Sequence, residues 1–247
     1  MLSLDSLATY IHAVHPDVDD VVDRGTIDIV HDQHIFLEES RRMHPDVCRF
    51  ISEEVYEGRL RSHVTCERQT TSAGTGIRYL PVEHRGNGSR SEEEADRIRL
   101  LVDELVGTPM TGRNGLERPL GADDIMVVAP YNAQVRLLRQ RVRAGVRVGT
   151  VDAFQGQEAP VVIFSMATSS GEDVPRGVAF LFSRNRLNVA ISRARSLAYL
   201  CCAPGLLEAR ARTVDEMRLV STLCSLVETA GHAGRARGVP MTPPALQ

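Results

Sequence analysis

From residue 77 onward, short runs of Val, Ile, Leu and Phe alternate with longer stretches whose apolar residues recur at helical spacing. The runs at 77–82, 125–129, 146–150, 161–166 and 197–202 are expected strands, and an earlier one is expected at 35–38. The later runs are apolar at nearly every position. Such strands are buried on both faces, which belongs to a parallel sheet with helices packed on either side. The pattern therefore predicts an α/β domain over 35–230.

Helix starts are marked between these runs. Ser91 with Glu94 has the form of a capping box ahead of Ile98, Leu101, Val102 and Leu105, and Thr213 with Glu216 repeats it ahead of Leu219, Leu223 and Leu226. His44-Pro45 places an extended residue before a helix that should run through Tyr56. Residues 107–121 are rich in Gly and Pro and read as a surface loop. A helix is expected over 2–14, followed by an acidic stretch at 17–23. From 231 to 247 little can be buried, so a disordered tail is expected there.

Composition narrows the chemistry. The chain has 247 residues, 43% hydrophobic and 25% charged, with a net charge of -3. This is enough for a full core, and bulk charge alone neither supports nor excludes nucleic acid. All 29 basic residues are arginine. Without lysine the phosphate-binding motif GxxxxGK[ST] cannot occur in these residues. Five cysteines, an odd number with no CxxC pair, argue against a disulfide framework or structural zinc site and favour a reduced, cytoplasmic setting. No apolar run reaches the length of a membrane span, and no signal sequence is evident. The pairs His12/His15 and His31/His34 lack the cysteines or carboxylates of a metal pattern and are expected at the surface, so no metal site is assigned.

Three polar segments sit between the apolar runs. The first, Glu39-Ser40-Arg41-Arg42-Met43-His44-Pro45, puts two arginines on a strand-to-helix corner, where α/β sheets commonly hold ligands. The second, Val148-Gly149-Thr150-Val151-Asp152-Ala153-Phe154-Gln155-Gly156-Gln157-Glu158, is a tight polar crossover between two strands. The third runs from Ser183 to Arg195. There Leu187, Ala190, Ile191 and Ala194 form a packing face, while Arg186 and Arg193, about 700° apart on a helix, share another face and point into one space. Taken singly, each segment has an ordinary reading as a solvated face or a connecting turn. Their joint order and spacing is what carries weight.

Ser-Arg-Arg-Met-His-Pro, Val-Asp-Ala-Phe-Gln-Gly-Gln-Glu and Arg-Leu-Asn-Val-Ala-Ile-Ser-Arg-Ala-Arg resemble motifs IV, V and VI of superfamily 1B, up-frameshift-like helicases. The resemblance spans about 35–202 and extends to bacterial chains that fuse a RecB-like nuclease to such a helicase. It implies a RecA-like sheet of the P-loop NTPase type, the second motor domain of an ATP-dependent helicase. Arg42 and Arg193 would then be arginine fingers, reaching the γ-phosphate of ATP held with Mg2+ on an N-terminal P-loop domain in cis or in trans. Arg41, Gln155, Gly156, Glu158 and Arg186 would face the nucleotide. Tyr131, Asn132, Gln134, Thr150, Asp152 and Thr168 would face single-stranded DNA or RNA, tracked along its backbone since aromatics are only 4%.

The chain departs from the family in lacking the P-loop motif and, before Ile35, the Asp-Glu and Gly-Asp-x-x-Gln segments. Alone it is expected not to turn over ATP, and residues 1–34 read as an N-terminal extension or the remnant of an interdomain segment. Two rival readings stand: a standalone module that binds nucleic acid or protein without hydrolysis, and a truncated gene product. By analogy the family leans towards DNA and 5′-to-3′ movement.

Overall fold

A computed structural model describes residues 27–29, 33–35, 38–175, 177–181, 184–211 and 213–235. The expected helix over 2–14, the acidic stretch 17–23, His12, His15 and His31, and residues 236–247 of the expected tail all lie outside the described residues. The chain divides after Glu38 into two compact units. The first contains a short antiparallel hairpin, β1 (Ile27–Ile29) against β2 (Gln33–Ile35). The second holds everything that follows.

Its order is β3 (Glu39–Ser40), α1 (Pro45–Val55), β4 (Arg61–Ser62), β5 (Thr70–Thr71), β6 (Gly76–Pro81), α2 (Glu92–Leu105), β7 (Pro109–Thr111), β8 (Glu117–Pro119), β9 (Ile125–Val128), α3 (Asn132–Arg141), β10 (Arg147–Gly149), β11 (Ala159–Ser165), α4 (Val178–Leu181), α5 (Arg184–Ser192), β12 (Ala194–Cys202) and α6 (Val214–Arg235). The five long apolar runs form one sheet, ordered β10-β9-β11-β12-β6, and every pairing in it is parallel. The α/β class and the parallel sheet flanked by helices are as the apolar pattern predicts.

Strand residues alternate between two buried layers, as a two-residue side-chain period requires. Met126, Val128, Val162, Phe164, Ala198 and Leu200 face a layer filled by α1, α5 and α6 through Phe50, Ile51, Leu187, Ile191, Leu223 and Leu226. Ile125, Val127, Val161, Ile163 and Leu197 face the other layer, filled by α2 and α3 through Ile98, Val102, Val135 and Leu138. Each such side chain removed from water contributes about 1.5–3 kcal/mol before entropy is counted. The helices are therefore fixed to a rigid sheet, and the segments joining them are placed by it.

Four expectations need correction. Of the strand foreseen over 35–38, Ile35 ends β2, Glu38 is in no strand and β3 begins at Glu39, opposite Arg61, while residues 36 and 37 lie outside the described residues. The loop foreseen over 107–121 is a β7–β8 hairpin that pairs with β5. Its turn is closed at Gly115, whose φ of 77° suits glycine. Helix α6 continues to Arg235, past the foreseen boundary at 230. The Ser91 capping box is half formed. Ser91 Oγ accepts from the Glu94 N–H at 3.1 Å, while the Ser91 N–H donates to Gln134 Oε1 at 2.8 Å. No helix among the described residues is long and apolar enough to cross a membrane.

Candidate functional site

Because β10, β11 and β12 run in parallel, their first residues lie on one edge of the sheet and their last residues on the other. Arg147 opens β10, Glu158 precedes β11, Arg193 precedes β12 and Arg195 is its second residue. The basic residues thus collect at the N-terminal edge, opposite to the carboxyl-end placement usual for open α/β sheets.

Arg42 is brought to the same edge by a braced turn. Ser40 Oγ accepts from the Arg42 and Met43 N–H groups, each at 3.4 Å. The Arg42 carbonyl accepts from Gln69 Nε2 at 2.8 Å, and the Met43 carbonyl from Ser62 Oγ at 2.6 Å. The His44 N–H donates to the Arg195 carbonyl at 2.7 Å, tying the turn to β12. His44 then caps α1, its Nδ1 accepting from the Asp46 N–H at 3.1 Å, with Pro45 as first helical residue. Buried Met43 anchors the corner, so Arg42 is aimed by its main chain.

Its guanidinium meets Glu158, with Nε 2.9 Å from Oε2, and Nη1 donates to the Ser192 carbonyl at the end of α5, at 3.3 Å. Glu158 Oε1 is 3.7 Å from Arg195 Nη1, and the Glu158 carbonyl accepts from Arg147 Nη2 at 3.0 Å. Arg193 is half-buried beside this pair. Burial, and next the Arg42 guanidinium, pull it below the usual arginine value, while Glu158 opposes them. Its Nε has no hydrogen-bond partner among the described residues. Three guanidiniums, opposed by Glu158 and, at Arg195, by Asp124, leave excess positive charge and an unused donor, a donor set suited to a phosphate.

Arg41 is exposed, pairing with Glu39 Oε1 at 3.1 Å, and its carbonyl accepts from Arg113 Nη1 at 2.7 Å. Gln155 and Gly156 are exposed on the crossover. Arg186 is at the far end of α5 from Arg193, its guanidinium 4.0 Å from the centre of the Phe180 ring. The shared face foreseen for Arg186 and Arg193 does not exist, because the helix stops at Ser192 and Arg193 falls in the turn before β12. Ala194, foreseen on the helix face, is likewise in the strand.

The expected nucleic-acid residues fall on the C-terminal edge. Asn132, first residue of α3, is exposed there; Tyr131 is buried with its ring 5.7 Å from Phe180. Thr150 is half-buried and Asp152 exposed at the end of β10. Residues 149–159 therefore carry the chain from this edge back to Glu158 on the other, linking both edges in one short crossover.

Two of these residues are interior. The side chain of Thr168 is wholly buried, its Oγ1 donating to the Gly88 carbonyl at 2.5 Å. Gln134 is also wholly buried, its amide donating to Ser165 Oγ at 3.0 Å and the Ser91 carbonyl at 3.1 Å. Their side chains are held inside, where no strand reaches, which corrects the expectation of direct contact.

They border a network that the sequence did not suggest. Ser165 Oγ donates to Glu94 Oε2 at 2.6 Å, as does the Ala167 N–H at 3.0 Å. Glu94 Oε1 is 3.1 Å from His84 Nε2, both side chains being fully buried. His84 Nδ1 is 2.7 Å from Ser169 Oγ, which also accepts from the Asn87 N–H at 2.8 Å. The network holds Ala167 at φ 65°, a left-handed conformation costly for alanine. Arg195, Arg147, His84 and Glu94 are the residues that sequence reasoning passed over. Arg195 stands within the same arginine-rich segment as Arg193, and that was its available signal.

No cluster of three metal-ligating side chains occurs among the described residues. The five cysteines are unpaired. Burial, then neighbouring Cys66, pushes the Cys48 thiol up to about 11, which makes it a poor nucleophile.

Comparison with known proteins gives the family. Residues 22–204 match the AAA domain family. Among curated relatives, "DNA-binding protein SMUBP-2" of Mesocricetus auratus is 30% identical over 218 residues, covering 79% of this chain and 20% of that protein. "DNA polymerase alpha-associated DNA helicase A" of Schizosaccharomyces pombe is 33% identical over 185 residues, 67% of this chain and 27% of that protein. "Regulator of nonsense transcripts 1 homolog" of Arabidopsis thaliana is 32% identical over 180 residues, 65% of this chain and 14% of that protein. The chain thus spans between 14% and 27% of the length of these relatives. With its parallel sheet and its three polar segments in order, the chain belongs to the AAA domain family.

Proposed function

We propose that the chain is the second motor domain of an ATP-dependent helicase or translocase. The observation that carries this reading is the meeting of Arg42, Arg193 and Arg195 around Glu158, with Arg42 arriving from 116 residues before Glu158. In this reading Arg42 and Arg193 reach across to the γ-phosphate of a nucleotide seated on an N-terminal P-loop domain, in cis or in trans. Phosphoryl transfer spreads negative charge over the terminal oxygens, and a fixed, always-charged guanidinium stabilises that charge. The Arg42 turn, braced by Ser40, Ser62 and Gln69, keeps its guanidinium in place before reaction, so little reorganisation is needed. Mg2+ is assigned with the nucleotide to the P-loop domain.

The C-terminal edge is the proposed track for single-stranded DNA or RNA. Asn132, the free N–H groups opening α3, Thr150 and Asp152 supply backbone contacts there. Names of relatives that read "DNA-binding protein" and "DNA helicase" favour nucleic acid as the ligand. The crossover 149–159 is the short path by which strand position and nucleotide state would be coupled. A RecB-like nuclease as a further companion, and a cytoplasmic setting, follow from the motif likeness and the five thiols.

The test is ATP hydrolysis by the enzyme containing this chain and its P-loop domain, at saturating single strand. Replacing Arg42 or Arg193 with Ala is expected to lower turnover by about 10³-fold or more. Full activity in the double variant would sink the reading.

A further inference from the structure

At the N-terminal edge the Glu158 carboxylate stands among the guanidiniums of Arg42, Arg193 and Arg195, and Asp124 also acts on Arg195. Glu158 touches Arg42 through Oε2 at 2.9 Å and approaches Arg195 through Oε1 at 3.7 Å. Arg193 is half-buried next to them, with its Nε unused among the described residues. Two carboxylate oxygens spread over two guanidiniums occupy the donors that two phosphate oxygens would take. Glu158 is also placed to leave. Its side chain is 41% exposed, and Gln155, Gly156, Gln157 and Glu158 are exposed in succession. Arg147, itself tied to the Asp123 carbonyl, holds Glu158 by its carbonyl and not by its carboxylate, so the carboxylate can swing out while the main chain stays fixed.

We infer that Glu158 is an internal stand-in for phosphate: without nucleotide it seats Arg42 and Arg195 and offsets their mutual repulsion, and an entering phosphoryl group must displace it. This rests on the reading of the arginines as phosphate-facing. It adds that the affinity of this edge for a phosphate chain is set by competition with the protein's own carboxylate. Glu158 is then a positioning residue, keeping the guanidiniums extended towards the edge between turnovers. Affinity is given up so that product phosphate leaves.

The experiment is calorimetric titration of the chain with inorganic tripolyphosphate, which has no ribose and so isolates the phosphate contacts. Glu158→Gln is expected to bind about fivefold tighter than the wild type, the scale of one partly exposed ion pair removed from competition. The gain should vanish in Glu158→Gln combined with Arg42→Ala, and the exposed Arg143→Ala should leave binding unchanged. Far-UV circular dichroism verifies that each variant is folded. Equal or weaker binding by Glu158→Gln, or no binding by any variant, overturns the stand-in role. So does a gain that survives loss of Arg42. If Arg193→Ala weakens binding while Glu158→Gln changes nothing, the stand-in fails and the phosphate-facing reading survives. If no arginine variant alters binding, both fall.

Discussion

Replacing Glu94 with Ala removes the centre of the buried network at the C-terminal edge. Its side chain is fully buried, accepts from Ser165 Oγ at 2.6 Å and from the Ala167 N–H at 3.0 Å, and lies 3.1 Å from His84 Nε2. One set of donors satisfies every atom: Ser169 O–H gives to His84 Nδ1, His84 Nε2–H to Glu94, and Gln134 to Ser165, whose own proton goes to Glu94. Alanine strands a buried N–H, an imidazole and a hydroxyl at once. Breaking a buried pair on one side costs about 3–5 kcal/mol, and an orphaned buried N–H alone costs about 1–3 kcal/mol. A loss of about 4 kcal/mol is expected, a large share of the about 5–15 kcal/mol that holds a domain. Glu94→Gln keeps one acceptor and should lose about 1–2 kcal/mol. Glu92→Ala, two residues earlier and exposed, should lose under about 1 kcal/mol. Urea unfolding followed by circular dichroism measures all three. A loss below about 1 kcal/mol for Glu94→Ala, with an unchanged denaturant slope, would refute the reasoning.

Asp124 makes a second test, through pH. Burial disfavours its charge, but the Arg118 guanidinium at 2.7 Å and the Gly121 N–H at 2.8 Å outweigh that and hold the carboxyl below its usual range. A depressed folded value means the stabilisation is present above about pH 4, the unfolded value, and is lost as pH falls through the folded one. Asp124→Asn should therefore cost about 1 kcal/mol at neutral pH, and the difference from wild type should shrink to nothing in strong acid, read by urea midpoints across pH. At Gly156, φ is 75° and nothing lies within 4 Å of an added Cβ. Gly156→Ala should cost only the left-handed backbone penalty, about 1 kcal/mol, by thermal unfolding. A loss several times larger would mean that the crossover is tighter than its exposure implies.

The main sheet was legible because residues 125–128, 161–164 and 197–202 are unbroken apolar runs whose burial on both faces leaves no other period to fit. The small sheets were not. β3, β4 and β5 are two polar residues each, and β8 is exposed throughout, so neither alternation nor burial marks them. Helical spacing carried Arg193 one residue too far, since Ala194 fits an apolar helix face as well as the start of β12. Gln134, Thr168 and Glu94 have the residue types of a solvated surface, and only the partners that surround them reveal their burial. The pairing of Arg42 with Glu158 joins positions 116 residues apart, which no local pattern encodes. The joint order of the three segments was informative because each brings a charged residue, Arg42, Glu158 or Arg193, to one edge of the sheet.

The central claim is that the arginines of the N-terminal edge act on the chemical step. Single-turnover hydrolysis of ATP, bound beforehand by the enzyme with its P-loop domain and saturating single strand, separates that step from binding. For Arg193→Ala the rate constant should fall by about 10³-fold or more while ATP affinity changes by less than about tenfold. An unchanged rate constant with only weaker ATP binding would contradict the account.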